Sequence, residues 1–519
     1  MKTVCKKIYD YFHGINGIIF IFYALFLALT QTFISTTGNL SFLVCSIVGL
    51  AFCILLCPTI IKFAGKLQFA SEKSGFLTIK DKLWKVIFFV LPFLLLLYHY
   101  LIYYPGSFSP DSMDQYQQSL QNVYSNWHPI VHTLLAFKLP LTLTSGWTGS
   151  IVLFQILIFS AVIGYALCTV KRYSNTCYAL IVMLFILINP ETSSIALFPW
   201  KDVSFAIGAM LMVTYGIKVY FTKGEWLKKP LNVVCFVLTS VLTTLFRHNA
   251  LLFTLPLIIA VLLLVSKKRA VAIAAICVVL ITTATPICSA LLSVEEPDKR
   301  QTETLGLPMN IIGSAVTYNP EYLDDDILEF AYKVAPQEVW QSKYEYGKFN
   351  RVKWDERTND AVIEEYGTAK VIAMAARCIT SCPRASLTGL IKLTEVVYTV
   401  SDNYNYCTIP YESSDLTAAF QKIDKDISVD FNRLFPHLFM YVGVLHLILL
   451  VSILAKCKLN KWNDWKKIFF VLPLVFYNFG SALLLTDASD SSRFFFYTFM
   501  ITPILLVLFY RNKNDESLN

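Results

Sequence analysis

The stretch IVHTLLAFKLPLTLT, residues 130–144, decides how the chain is threaded. It is apolar enough to be counted as a membrane span, but counting it places Lys171 and Arg172 outside and inverts every loop that follows. Read instead as a juxtamembrane or re-entrant helix, it leaves a regular alternation on both sides. Apolar windows of near-spanning length then fall at about 14–34, 41–61, 84–103, 149–170, 177–190, 203–221, 230–246, 250–266, 270–291, 436–455, 467–486 and 493–510. Short loops rich in Lys and Arg recur at every second connection: Lys62 to Lys85, Lys171 with Arg172, Lys223 to Lys229, Lys267 to Arg269, and Lys456 to Lys467. Such loops stay on the cytoplasmic side, so the expectation is about twelve spans with both termini inside.

Composition supports the same class. The chain has 519 residues, 55% hydrophobic and 15% charged, with 28 Tyr and 39 Phe. A soluble domain runs at about 25% charged. Soluble enzyme, disordered chain and nucleic-acid-binding module are therefore excluded, and the net charge of +8 reads as topology rather than as attraction to nucleic acid. The first residues, MKTVCKKIYDYFH, precede about twenty apolar residues without a small-residue cleavage site and read as a retained first span. Most of the 13 cysteines, such as Cys45, Cys53, Cys168 and Cys277, sit inside apolar runs and behave as small hydrophobes. Cys378 and Cys382, at i, i+4, would strain a continuous helix if paired.

Three regions follow: an N-terminal membrane part, 1–291, with a first outer loop at 104–148; an outer insert, 292–435; and a C-terminal membrane part, 436–519. The insert is the one soluble-domain candidate, expected as a small helical or mixed domain lying on the bilayer.

With sidedness assigned, the unusual polar residues share one face: SPDSMDQYQQ (109–118), NWHP (126–129), PWKD (199–202), RHN (247–249) and DASDSSR (487–493). Ser109-Pro110-Asp111 is a helix start, with a Ser cap, Pro in the first turn and an acid favourable to the dipole. Asp111, Asp114, Gln115 and Gln118 follow at i, i+3, i+4 and i+7, a carboxylate and amide surface suited to sugar hydroxyls and to a general base. A helix N-terminus stabilises the ionised form and so weakens Asp111 as a base more than Asp114. Lys201 opens a helix, where the dipole opposes it, and lies on the wrong side for topology; pairing with Asp202 would be the plain explanation. Arg247 closes a helix, where the dipole favours it, and Arg493 has Asp490 at i, i+3 as a plain partner. His128 and His132 have metal-ligand spacing but no adjacent Glu or third ligand, so no cofactor is called for; a divalent cation is compatible with the sequence but not indicated by it.

Carboxylates, amides, aromatics and cations at a bilayer boundary suit a substrate with a lipid tail and an anionic head. Transfer of a sugar from such a lipid phosphate needs cations at the departing phosphate and a carboxylate to take a proton from the acceptor. The SPDSMDQ loop followed by NWHP, WKD, RHN and DASDSSRFFFY resembles bacterial membrane glycosyltransferases of the GT-C fold, in particular a Gram-positive branch with PG..SPDS..Q and WHP motifs. The resemblance covers most of the membrane portion and is weak over the insert. It implies an all-α polytopic fold, an inverting transfer from a polyprenyl-phosphate sugar to an extracytoplasmic glycan, teichoic acid or glycolipid, and a catalytic Asp at Asp111, with Asp114 as substitute. Lys201, Arg247 and Arg493 would hold the carrier phosphate, with Gln115, Trp127, His128, Asp202 and Asn249 completing the substrate site. The doubled-carboxylate signature of some members of that superfamily is absent. Two other readings use the same span count: a polyprenyl-diphosphate-linked glycan ligase or polymerase, drawing on Arg351, Arg377, Arg384 or His437, and a secondary transporter.

Overall fold

The computed structural model describes residues 61–69, 81–295, 304–398, 437–459, 465–487 and 491–510. Among these residues the fold is all-α, with two isolated bridges, Ser125 to Glu295 and Lys348 to Asp487, and no strand.

Among the described residues, six helices are long and apolar enough to cross a membrane: α1 (Asp81–Ile102), α4 (Gly149–Tyr173), α6 (Lys201–Phe221), α9 (Lys267–Leu292), Trp465–Leu484 and Arg493–Tyr510. Each coincides with a window expected from the sequence. Shorter apolar helices occupy four further windows: α5 (Thr176–Leu187), α7 (Pro230–Leu245), α8 (Leu251–Leu262) and α15 (Val442–Leu459). The windows at 14–34 and 41–61 lie outside the described residues. The stretch that governs the threading is the helix α3 (Ile130–Leu143), too short for a full span and interrupted by a π-turn over Thr133–Lys138.

The case for a bilayer rests on what the helices leave uncovered. Lys267–Leu292 has a mean hydropathy of 2.4 over its apolar window, yet only 11% of that window is buried against protein. Val271, Val278, Val279 and Ile287 are all exposed. In water such a surface would be an aggregation site; against lipid it needs no cover. By contrast α6 and Arg493–Tyr510 are 78% buried and form the centre, where Phe205, Phe253, Tyr477 and Tyr497 pack ring on ring. At Gly208 the α6 backbone comes so close to α7 that a Cβ would stand 2.2 Å from Thr243 Oγ1, the small-residue contact by which membrane helices pack.

The insert folds into helices with their own core. Met309, Ile312, Phe330, Val339, Trp340, Phe349 and Met374 come from α10 (Gly306–Tyr318), α11 (Asp325–Val334), α12 (Gln337–Lys343), α13 (Thr368–Ser381) and the segments between. α13 is followed by α14 (Pro383–Thr394); Cys378 and Cys382 are free thiols near their junction. The insert docks on the membrane part through the backbone. Thr486 O accepts from Phe349 N at 3.0 Å and from Asn310 Nδ2 at 3.2 Å, while Asn126 N donates to Glu295 O at 2.8 Å. The insert and the first loop therefore sit at the same end of the bundle. Residues 399–435 of the expected insert lie outside the described residues.

Candidate functional site

The first loop is built by a turn at Gly106, whose φ of +124° and whose missing Cβ, which would stand 2.4 Å from Val152 Cγ2, both require glycine. Ser107 N then donates to Leu197 O at 3.1 Å, tying the loop to the segment that precedes α6. Ser109 caps α2 (Pro110–Gln121) by accepting from Ser112 N, with Pro110 in the first turn. Its hydroxyl also accepts from Trp200 Nε1 at 2.6 Å, so one oxygen both starts α2 and positions the residue before Lys201.

On α2 the four polar residues divide. Asp111 faces the bundle and accepts from Arg493 Nη1 at 3.0 Å. Asp114 is half-exposed, and its Oδ2 accepts from Gln118 Nε2 at 2.7 Å. Gln115 does not lie on that surface: it is buried, its Oε1 standing 2.7 Å from His132 Nδ1 and accepting from Thr133 Oγ1 at 3.2 Å. The helical period is right, but α3 packs across the face that Gln115 occupies, so its amide serves the fold.

His128 links two acids and bases of the site. Its Nδ1 is 2.9 Å from Lys201 Nζ, and its Nε2 is 3.6 Å from Asp114 Oδ2. An ammonium only donates, so Nδ1 accepts and the ring proton resides on Nε2, facing Asp114. His132, four residues on, is fully buried with Gln115 on one nitrogen and Ser204 Oγ at 3.1 Å on the other. The two histidines thus have separate partners. Among the described residues no three His, Cys, Asp or Glu side chains converge as a metal site.

Lys201 also differs from its simplest explanation. Asp202 pairs with Arg247, both buried, rather than with Lys201. Asp202 lies in the first turn of α6, where the helix dipole favours a carboxylate, and Arg247 follows the end of α7. Arg493 bonds Asp111 from across the bundle; Asp490 lies outside the described residues. Arg247 and Arg493 share one ring, with their guanidinium carbons 4.5 and 4.8 Å from the centroid of Phe494, and Arg493 also lies 5.2 Å from that of Trp200. Lys201 is in electrostatic reach of Asp111, Asp202, Arg493 and Arg247. Three cations and three carboxylates are thus in mutual electrostatic reach, two of the cations packed on the rings of Phe494 and Trp200.

Electrostatics separates the two acids of α2. Burial alone would push the Asp111 carboxyl up, but the charges of Lys201, Arg493 and His128, with the Arg493 hydrogen bond, hold it well below the usual carboxylate range. Burial pushes the Asp114 carboxyl above its ordinary value, with the Asp111 charge adding to it against the Gln118 hydrogen bond and the Lys201 charge. Burial, then Lys201, pushes the His128 imidazole down, which keeps it neutral.

Two expected residues stand apart. Asn249 donates to Ser481 Oγ at 2.9 Å, tying the start of α8 to α16 (Leu472–Leu484). Trp127 turns toward the insert, where Lys353 Nζ lies 5.7 Å from its ring. Conversely, Trp200 and Phe494 belong to the site although the sequence singled out only their neighbours Lys201 and Arg493, and Ser109, expected only as a cap, also holds Trp200. Comparison with protein-family models, with curated proteins and with solved structures finds no significant match.

Proposed function

We propose that the protein is a membrane glycosyltransferase of the GT-C type. It would move a sugar from a polyprenyl-phosphate donor to an extracytoplasmic glycan, teichoic acid or glycolipid, with inversion at the anomeric carbon. The reading takes twelve spans, both termini cytoplasmic, and the site at the outer boundary. The single observation that carries it is the Asp111–Arg493 pair, set among Lys201, Arg247 and two aromatic rings.

The chemistry needs a carboxylate that becomes a base only when the donor is bound. Without a donor Asp111 is held ionised by Lys201 and Arg493 and is a weak base. A lipid phosphate entering beside these cations competes for them and frees the carboxylate to accept the proton of the acceptor hydroxyl. The acceptor oxygen attacks the anomeric carbon, the bond from that carbon to the phosphate oxygen breaks, and the charge arriving on polyprenyl phosphate stays on the cations. Each such contact is worth about 3 kcal/mol at the transition state. Asp114, beside His128, is the alternative base.

The rival reading as a ligase or polymerase draws on cations of the insert. Arg351 pairs there with Glu345, and Arg377 with Asp324 and Asp326, so no observation favours it. The test is transfer by purified protein in liposomes from a synthetic polyprenyl-phosphate hexose. Asp111→Asn is expected to lower the rate about 10²- to 10⁴-fold while the protein still inserts and folds. Undiminished transfer by that variant would remove Asp111 from the reaction.

A further inference from the structure

On the insert, a cleft of about 460 Å³ is lined by Lys343, Arg351, Trp354, Asp355, Glu356 and Arg357. Trp354 is 62% exposed, whereas Trp340 is buried in the core of the insert. Two of its three cations, Arg351 and Arg357, are already matched by carboxylates. Arg357 is held in a fork by Asp355, with Nε to Oδ1 at 2.9 Å and Nη2 to Oδ2 at 3.0 Å, and Arg351 pairs with Glu345. A neutralised fork leaves donors and acceptors side by side with little net field. That arrangement matches sugar hydroxyls, which donate and accept, better than a phosphate, which needs unmatched positive charge. The exposed indole adds a flat apolar face for the C–H side of a pyranose ring.

The cleft is also joined to the site. Lys353 is buried, with its Nζ 4.6 Å from the Trp354 ring and 5.7 Å from the Trp127 ring. Trp127 adjoins His128, which touches Lys201 and faces Asp114. A row of side chains therefore runs from the cleft to the carboxylates through one lysine held between two indoles.

We propose that this cleft is a binding subsite for a neutral, hydroxyl-rich oligosaccharide, stacked on Trp354 and hydrogen-bonded by the Arg357–Asp355 fork, and that it presents the growing end of the acceptor to the site at Asp111. The term acceptor rests on the transfer reaction proposed above; the binding does not.

The experiment is calorimetric and fluorescence titration of the full-length protein in nanodiscs with maltopentaose, chitopentaose and, as the anionic comparison, a short poly(glycerol phosphate). A neutral pentasaccharide is expected to bind and to quench indole emission. Trp354→Ala is expected to weaken that binding at least tenfold, Arg357→Ala comparably, and Trp354→Phe to restore most of it. Absence of binding by both pentasaccharides, binding indifferent to Trp354→Ala, or binding of poly(glycerol phosphate) alone overturns the proposal. Because binding is read without turnover, the two readings separate. Sugar binding with no transfer from any lipid phosphate supports the cleft and counts against the transferase, and transfer without such binding does the reverse.

Discussion

Replacing Arg247 by alanine isolates what the buried pair contributes. The Arg247 and Asp202 side chains are 7% and 1% exposed, and Arg247 also lies 5.7 Å from the Tyr477 centroid and 4.5 Å from that of Phe494. Arg247→Ala leaves the Asp202 carboxylate in the same low-dielectric setting with its countercharge gone. Breaking a buried pair on one side costs about 3–5 kcal/mol, whereas replacing both partners by apolar side chains of similar volume is often neutral. The single variant should therefore lose a factor of roughly 10² to several times 10³ in its folded-to-unfolded ratio. Arg247→Leu combined with Asp202→Leu should recover most of it. The assay is reversible unfolding in mixed micelles by titration with a denaturing detergent, followed by tryptophan fluorescence. A loss below about 1 kcal/mol in the single variant would refute the claim that the pair is desolvated and mutually dependent. The double variant carries a second readout. If Arg247 also contacts the donor phosphate, a refolded Leu–Leu protein will still transfer sugar poorly, with a raised donor KM; normal kinetics would confine Arg247 to the fold.

The pH dependence of kcat/KM identifies the base, because that ratio reports the free enzyme. With Asp111 as base, the rate should hold down to and below the ordinary carboxylate value of about 3.9; with Asp114, the acid limb should lie above it. The same shifts act on stability. Asp111, lowered on folding, contributes stability that is present above the ordinary value and lost as pH falls through its native value. Asp114, raised on folding, binds its proton more tightly in the native state, so stability declines as pH climbs from the ordinary value through the raised one. Asp114→Asn should abolish that decline in a pH series of unfolding measurements. Ser109→Ala removes both the cap of α2 and the acceptor for Trp200, and should cost about 1–2 kcal/mol with a lowered transfer rate; a cost near zero would mean that solvent replaces both bonds. Val123→Cys, 56% exposed just beyond α2, should react with an impermeant maleimide added outside intact cells, and labelling only after permeabilisation would reverse the proposed sidedness.

The helices of the membrane part were legible because length and apolarity in a bilayer are local properties. A run such as 267–292 has to be a helix whose own backbone satisfies its hydrogen bonds, whichever neighbours it meets. The start of α2 was legible for the same reason, since Ser109, Pro110 and Asp111 act on their own next turn. Sequence also indicated that the clusters around Asp111, Lys201, Arg247 and Arg493 belong to one end, through the ends of the helices that carry them.

Pairing was decided only by tertiary structure. Nearness in sequence offers Lys201 to Asp202, yet Asp202 takes Arg247 and Lys201 takes His128, while Arg493 reaches 382 positions back to Asp111. Each charge settles where burial is best compensated, and that depends on which helix lies opposite. Gln115 shows the same limit from the other side. Its position on α2 follows from the helical period, but whether that position meets water or protein depended on α3 lying across it, which no local rule contains.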